Sequence, residues 1–123
     1  MDYEGKRYEY WINYFNQDKK FETPEDIPSI PVLPDEFMKE VVFPGLIRMG
    51  AIPRRDLVIG KCYIGSCRNA SEAKWNGERF EYRRYKWGSY YIDDTPHFED
   101  DEGMDFFIPI KESDQPWEDI NLK

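Results

Sequence analysis

The sequence predicts an α+β fold: N-terminal helical segments packed on a curled antiparallel β-sheet, a meander of about five strands. Three observations carry that reading. Apolar residues recur at helical spacing in the first fifty positions, and from Leu57 onward the period drops to two. Explicit turn signals, Asn76-Gly77 and Gly88-Ser89, then cut the second half into short strands. At 123 residues the chain reads as one domain, with a helical portion over 1–52, a sheet over 57–110 and an acidic tail over 111–123. Its 17 % aromatic content supplies the core that a disordered chain of 34 % charge would lack.

The first element follows from Tyr8, Trp11, Ile12 and Phe15, which form one apolar stripe on a helix within residues 3–17. Four prolines among the twelve residues from Thr23 to Pro34 predict an extended surface connection. Asp35 is a plausible N-cap for a second helix, on which Phe37, Val41 and Val42 share a face. Pro44 falls inside that pattern and costs a helix interior about 3 kcal/mol, so a kink or break is expected there. A further turn over Leu46–Met49 should close at Gly50, a C′ glycine with Pro53 beyond it.

Four strands should lie within residues 61–93 and a fifth over Met104–Ile110, with Pro109 pushing the fifth to an edge. A two-residue type I′ turn at Asn76-Gly77 would set Trp75 opposite Glu78 and Ala73 opposite Phe80 on a core face. The other face would then hold Lys74 opposite Arg79 and Glu72 opposite Glu81, a charged ladder of the kind that usually faces solvent. Gly88-Ser89 fits a type II′ turn. The apolar residues around it are the odd-numbered Tyr85 and Trp87, with Tyr90 and Ile92, whereas the same strand uses even-numbered Phe80 and Tyr82 for its core. A β-bulge at Arg83-Arg84 would reconcile the two and re-aim an arginine.

Charge is unevenly spread. Residues 1–60 carry 8 basic and 11 acidic side chains, residues 61–91 carry 7 and 3, and residues 92–123 carry 2 and 11, for a net charge of −8. Such a balance disfavours non-specific nucleic-acid binding, which rests on excess positive charge. It leaves open a basic protein partner, or a small anion held in the one positive segment. For the anion, Arg68 and Asn69 at the mouth of the first hairpin would join Arg83 and Arg84, with Trp75, Tyr85 or Trp87 as a stacking platform for a nucleotide. The competing reading has Arg68 and Asn69 capping their turn while the arginines pair with Asp93 and Asp94. For the basic partner, the acidic candidates are Asp100, Asp101, Asp114, Glu118 and Asp119.

Enzymatic signatures are missing from the sequence. It has no nucleophile motif, no phosphate-cradling glycine loop and no zinc spacing, so a non-enzymatic protein without a cofactor is expected. The stretch His97-Phe-Glu-Asp-Asp-Glu-Gly-Met-Asp105 is rich in oxygen ligands, but its spacing is not that of the calcium loop, and no metal is assigned. Cys62 and Cys67 stand five residues apart in a predicted strand, on opposite faces and about 16 Å apart at ~3.3 Å per residue, beyond disulfide reach. No run approaches the ~18 apolar residues of a membrane span, and the N-terminus lacks the apolar stretch of a secretory signal, so cytosolic residence is expected.

The pattern Tyr63-x-Gly65-x-Cys67-Arg68-Asn69-Ala70, followed by Ala73 and Trp75, resembles small bacteriophage-encoded proteins of uncharacterised function. The likeness extends over roughly residues 53–112, through Arg83, Lys86 and Gly88, then His97-x-Glu99-Asp100-Asp101, then Asp105-x-Phe107-x-Pro109. What the resemblance implies is an accessory or counter-defence protein of the host-cell cytosol. It would act by blocking a host or defence-system protein with a basic surface, or else by capturing a nucleotide signal.

Overall fold

The computed structural model describes residues 5–68, 70–100 and 105–114. Helix α1 (Lys6–Phe15) turns Trp11 and Phe15 inward, with Tyr8 and Ile12 half-buried beside them, as its stripe predicts. The connection that follows is more than a surface strap. Asp26 accepts hydrogen bonds from the backbone N–H groups of Glu22 (2.9 Å) and Thr23 (3.1 Å), which folds a 3₁₀ turn over Pro24–Asp26. Phe21, Ile27 and Leu33 are buried on the way.

Pro44 breaks nothing. Helical structure runs from α2 (Asp35–Phe37) through a π-helical turn (Met38–Val42) into α3 (Phe43–Arg48). A proline ring collides with the carbonyl four residues back, here Glu40, and the wide π turn holding that carbonyl gives the ring room. The expected kink is thus absorbed as a change of helical pitch one turn upstream. The end is as predicted: Gly50 N–H donates to Ile47 O (3.1 Å) and Ala51 N–H to Leu46 O (2.9 Å), a Schellman closure with Gly50 at φ 118°.

Five antiparallel strands form one sheet: β1 (Cys62–Ser66), β2 (Glu72–Trp75), β3 (Phe80–Lys86), β4 (Ser89–Thr95) and β5 (Ile108–Glu112), in the order β4-β3-β2-β1-β5. The predicted α+β class is therefore the observed one, with β5 displaced a few residues toward the C-terminus. It is an edge strand, and its irregular pairing with β1 falls next to Gly65 and Pro109.

Two expected registers are corrected. Asn76-Gly77 is not a two-residue turn, because Asn76 keeps a negative φ. Its side-chain oxygen instead accepts from Glu78 N–H and Arg79 N–H, both at 2.8 Å, closing a four-residue connection. Trp75 consequently faces Phe80, and Lys74 faces Glu81, so the like-charge opposition becomes an attractive one. The second hairpin turns at Trp87-Gly88, one residue earlier than expected, with both residues at positive φ (56° and 81°) as a type I′ turn requires. The β3–β4 ladder then runs unbroken from Phe80↔Thr95 to Lys86↔Ser89, and no bulge exists at Arg83-Arg84. Tyr85 and Trp87 accordingly lie exposed and not in the core.

Two apolar clusters result. One joins the helices to Phe98 and Ile108, and the other, on one face of the sheet, holds Tyr63, Ala73, Trp75, Phe80, Tyr82 and Phe107. Cys62 and Cys67 form no disulfide. No helix among the described residues is long and apolar enough to cross a membrane.

The β1–β5 contact rests on Gly65, where an added Cβ would sit 2.0 Å from the backbone oxygen of Ile108. Gly65→Ala should therefore destabilise the protein by about 3 kcal/mol, the upper end of overpacking costs. Urea unfolding measures this, and an unchanged midpoint would mean that the two backbones are not that close.

Candidate functional site

Strict alternation along β3 sends Arg84 to the same side as Tyr82 and sends Arg83 to the opposite side with Tyr85. The two arginines therefore do not form one fork. Arg68, which follows β1, does share a groove of about 400 Å³ with Arg84, so part of the predicted constellation is brought together. That groove is also lined by Tyr82, Asp93, Asp94 and Asp105. Asp93 lies opposite Tyr82 on β4 and takes a hydrogen bond from Arg84 Nη1 at 3.3 Å, while Asp94 takes one from Arg79 Nε at 2.9 Å. The guanidinium of Arg84 is held above its ordinary pKa, first by that bond to Asp93. Three carboxylates face two guanidiniums, so the groove carries no surplus charge for a phosphate. Pairing of Arg84 with Asp93 is the competing reading of the sequence. Neither Tyr85 nor Trp87 lines the groove, and Trp75 is buried in the sheet cluster. Asn69 lies outside the described residues.

The acidic candidates divide similarly. Asp100 is engaged within the chain, its Oδ1 lying 3.1 Å from Arg54 Nη1. Asp114 is exposed, whereas Asp101, Glu118 and Asp119 lie outside the described residues. Among the described residues no three His, Cys, Asp or Glu side chains are grouped to hold a metal ion.

His97 has a structural role that its loop-like context concealed. It is wholly buried, Nε2 lies 2.8 Å from the carbonyl of Ile52, and Nδ1 accepts the N–H of Glu99 at 3.1 Å. Those contacts fix the Nε2–H tautomer, since Nδ1 is occupied as an acceptor. The ring stacks on Phe80 at 6.1 Å between centroids and touches Phe98 at 4.2 Å. Burial pushes its pKa below the usual histidine value, and the Ile52 carbonyl with the charges of Glu99 and Asp100 only partly offsets that. Both ring nitrogens are committed inside the chain, to the Ile52 carbonyl and the Glu99 N–H. The one sequence clue was its position between Pro96 and Phe98, an apolar setting for a lone imidazole.

The tip of the β3–β4 hairpin departs furthest from the sequence expectation. Trp87 is 90 % exposed and Tyr85 64 %, with Tyr90, Tyr91 and Ile92 also open to solvent on β4. Tyr85 and Tyr90 pack edge-on across the ladder at 5.0 Å, and the Lys86 ammonium sits 5.8 Å from the Trp87 ring. A second open cavity of about 540 Å³ lies where Arg54 reaches over Trp75, edged by Leu57, Ile59 and Glu99. Compared with known proteins, the chain matches no family model, no curated protein and no solved structure.

Two outcomes follow from this geometry. The unfolded chain takes up a proton at His97 near pH 6.5 while the folded chain resists it, so the stability contributed by the neutral ring is complete above that pH and is lost as pH falls below it. Urea titrations between pH 7.5 and 5 (about two units around that pKa) should show a decline of up to ~1.4 kcal/mol per unit, which His97→Gln flattens. An equal decline in His97→Gln would assign the loss elsewhere. In the groove, ATP at about 1 mM, a concentration that reads weak sites, should leave the melting temperature unchanged. A rise that vanishes in Arg68→Ala but persists in Lys74→Ala would instead establish nucleotide capture.

Proposed function

We propose that this chain is a non-enzymatic binding protein that docks on another protein through the β3–β4 hairpin, its net charge of −8 favouring a basic partner. In the setting that the resemblance to phage proteins implies, it acts as an inhibitor. It covers a basic, nucleic-acid-handling surface of a host or defence protein in the cytosol. The reading rests on protein contacts and not on a captured nucleotide, which the carboxylates of the Arg68–Arg84 groove disfavour.

The single observation that carries it is Trp87. A type I′ turn asks for Asn or Gly, and an L-residue without a short polar side chain costs about 1–2 kcal/mol in the left-handed region. Trp87 bears that cost at φ 56° and, being almost entirely exposed, recovers none of it by burial. Folding gives no account of a tryptophan there. Binding does, because interface anchors are drawn from Trp, Tyr and Arg, and Trp87 stands among Tyr85, Tyr90, Tyr91 and Arg84. A net charge of −8 steers such a surface toward basic partners and away from acidic ones.

Trp87→Asn separates the two roles. It should raise folding stability by about 1 kcal/mol by relieving the turn, while weakening partner capture roughly a hundredfold, as loss of an anchor worth ~2–3 kcal/mol does. Immobilised wild-type and variant proteins, compared on the same bacterial lysate at low and high salt, give the capture readout beside urea unfolding. A variant that is less stable than wild type, or that retains the same captured protein undiminished, removes the basis for the proposal. Capture insensitive to salt would remove its acidic component.

A further inference from the structure

The two edges of the sheet are not alike. β5 is blunted by Pro109, which has no N–H to offer, by its irregular register with β1, and by Lys111 and Glu112. β4 carries none of these devices over its first four residues, Ser89-Tyr90-Tyr91-Ile92, and among the described residues no strand pairs with its outer side.

Register identifies the open positions. The pair flanking a two-residue turn, Lys86 and Ser89, is hydrogen-bonded, and bonded pairs alternate along an antiparallel ladder. Residues 89, 91, 93 and 95 therefore bond inward to β3, and residues 90, 92 and 94 turn their backbone groups outward. Asp93 confirms the phase, since its Oδ1 accepts the outward N–H of Asp94 at 2.8 Å. Among the described residues, Tyr90 and Ile92 have no such cover. Their side chains lie on the same face as that of Asp94 and are 41 % and 48 % exposed.

We infer that the β4 edge binds an extended segment of the partner protein as an added antiparallel strand. The segment carries apolar side chains beside Tyr90 and Ile92 and a lysine or arginine beside Asp94, whose carboxylate gives Oδ1 to Arg79 but is still half exposed. This rests on the protein-docking reading of the hairpin and specifies the chemistry of the partner. The outward backbone groups give affinity that does not depend on sequence, and the apolar pair followed by an acid gives specificity. A second copy of this chain fits poorly. Two-fold pairing about Ile92 would set each Asp94 against a tyrosine and join two chains of net charge −8.

The probe is the peptide acetyl-Thr-Lys-Thr-Val-Thr-Val-Thr-amide, titrated into the full chain to about 1 mM and followed by amide hydrogen exchange. Exchange at Tyr90 and Ile92 should slow at saturation, and methylating the two valine nitrogens, which removes the donors facing β4, should weaken binding roughly tenfold or more. Ile92→Pro removes an outward N–H only and should weaken it similarly, while Glu in place of the peptide lysine should weaken it in a salt-dependent way. The methylated peptide keeps the test decisive if Ile92→Pro does not fold. Equal binding of the methylated peptide, no protection at Tyr90 and Ile92, no binding, or dimerisation through β4 each overturns the inference. Trp87→Asn distinguishes the two proposals. Lysate capture lost in Trp87→Asn but kept in Ile92→Pro leaves the hairpin reading standing and the added strand refuted. Peptide binding kept in a Trp87→Asn protein whose lysate capture is unchanged does the reverse.

Discussion

Two short segments lying side by side hold this molecule together. Residues 96–98 and 107–108 meet in a parallel bridge, with Phe107 N–H donating to Pro96 O (2.9 Å) and Phe98 N–H to Phe107 O (3.1 Å). Neighbouring side chains along the seam enter different clusters, although the rings of His97 and Phe98 still touch, 4.2 Å between centroids. His97 and Phe107 stack on Phe80 in the sheet cluster, and Phe98 and Ile108 enter the helical cluster, where Phe98 meets Phe43 edge-on at 5.8 Å. The bridge is thus a seam between two cores that otherwise share few residues. The imidazole of His97 ties the seam to the chain before the sheet through the Ile52 carbonyl, and Ile52 N–H in turn donates to Pro109 O at 2.8 Å. A charged ring could not fill that place without a large desolvation cost.

The kinds of element were legible in the sequence, and their registers were not. The stripe on α1, the glycine closure after α3 and the number of strands followed from periodicity and turn chemistry, because those signals are local. The two hairpin registers depart from expectation for separate reasons. Asn76 gains more by accepting two backbone N–H groups than by adopting positive φ. Trp87 was assigned to the core because tryptophan is apolar, and a bulge was then needed to bring it there. The uninterrupted ladder shows that the change of parity between Tyr82 and Tyr85 marks the place where the core ends. The π turn ahead of Pro44 was equally hidden, since nothing in sequence spacing distinguishes a helix that breaks from one that widens.

Arg79 and the β3 arginine Arg84 show how a basic stretch can lose its apparent purpose on folding. Residues 61–91 are positive as a segment, yet in three dimensions Arg79 and Arg84 meet Asp94 and Asp93 from the acidic segment that follows. Charge segregated along the chain becomes charge interleaved on the surface. Exposed pairs of this kind contribute little stability, generally below about 1 kcal/mol each. Their larger effect is to cancel a field that would otherwise attract polyphosphates, which leaves the net negative charge to govern long-range encounters.

The hairpin beyond Tyr82 extends past both cores, and this has an evolutionary consequence. Residues 84–92 touch neither the seam nor the helical cluster, so substitutions among them leave the packing of the rest unaltered. Here the tip and the two cores occupy separate stretches of one ladder, joined by backbone hydrogen bonds and by the Arg84–Asp93 pair. A tip arranged in this way can change its sequence one residue at a time while the domain beneath it stays folded throughout.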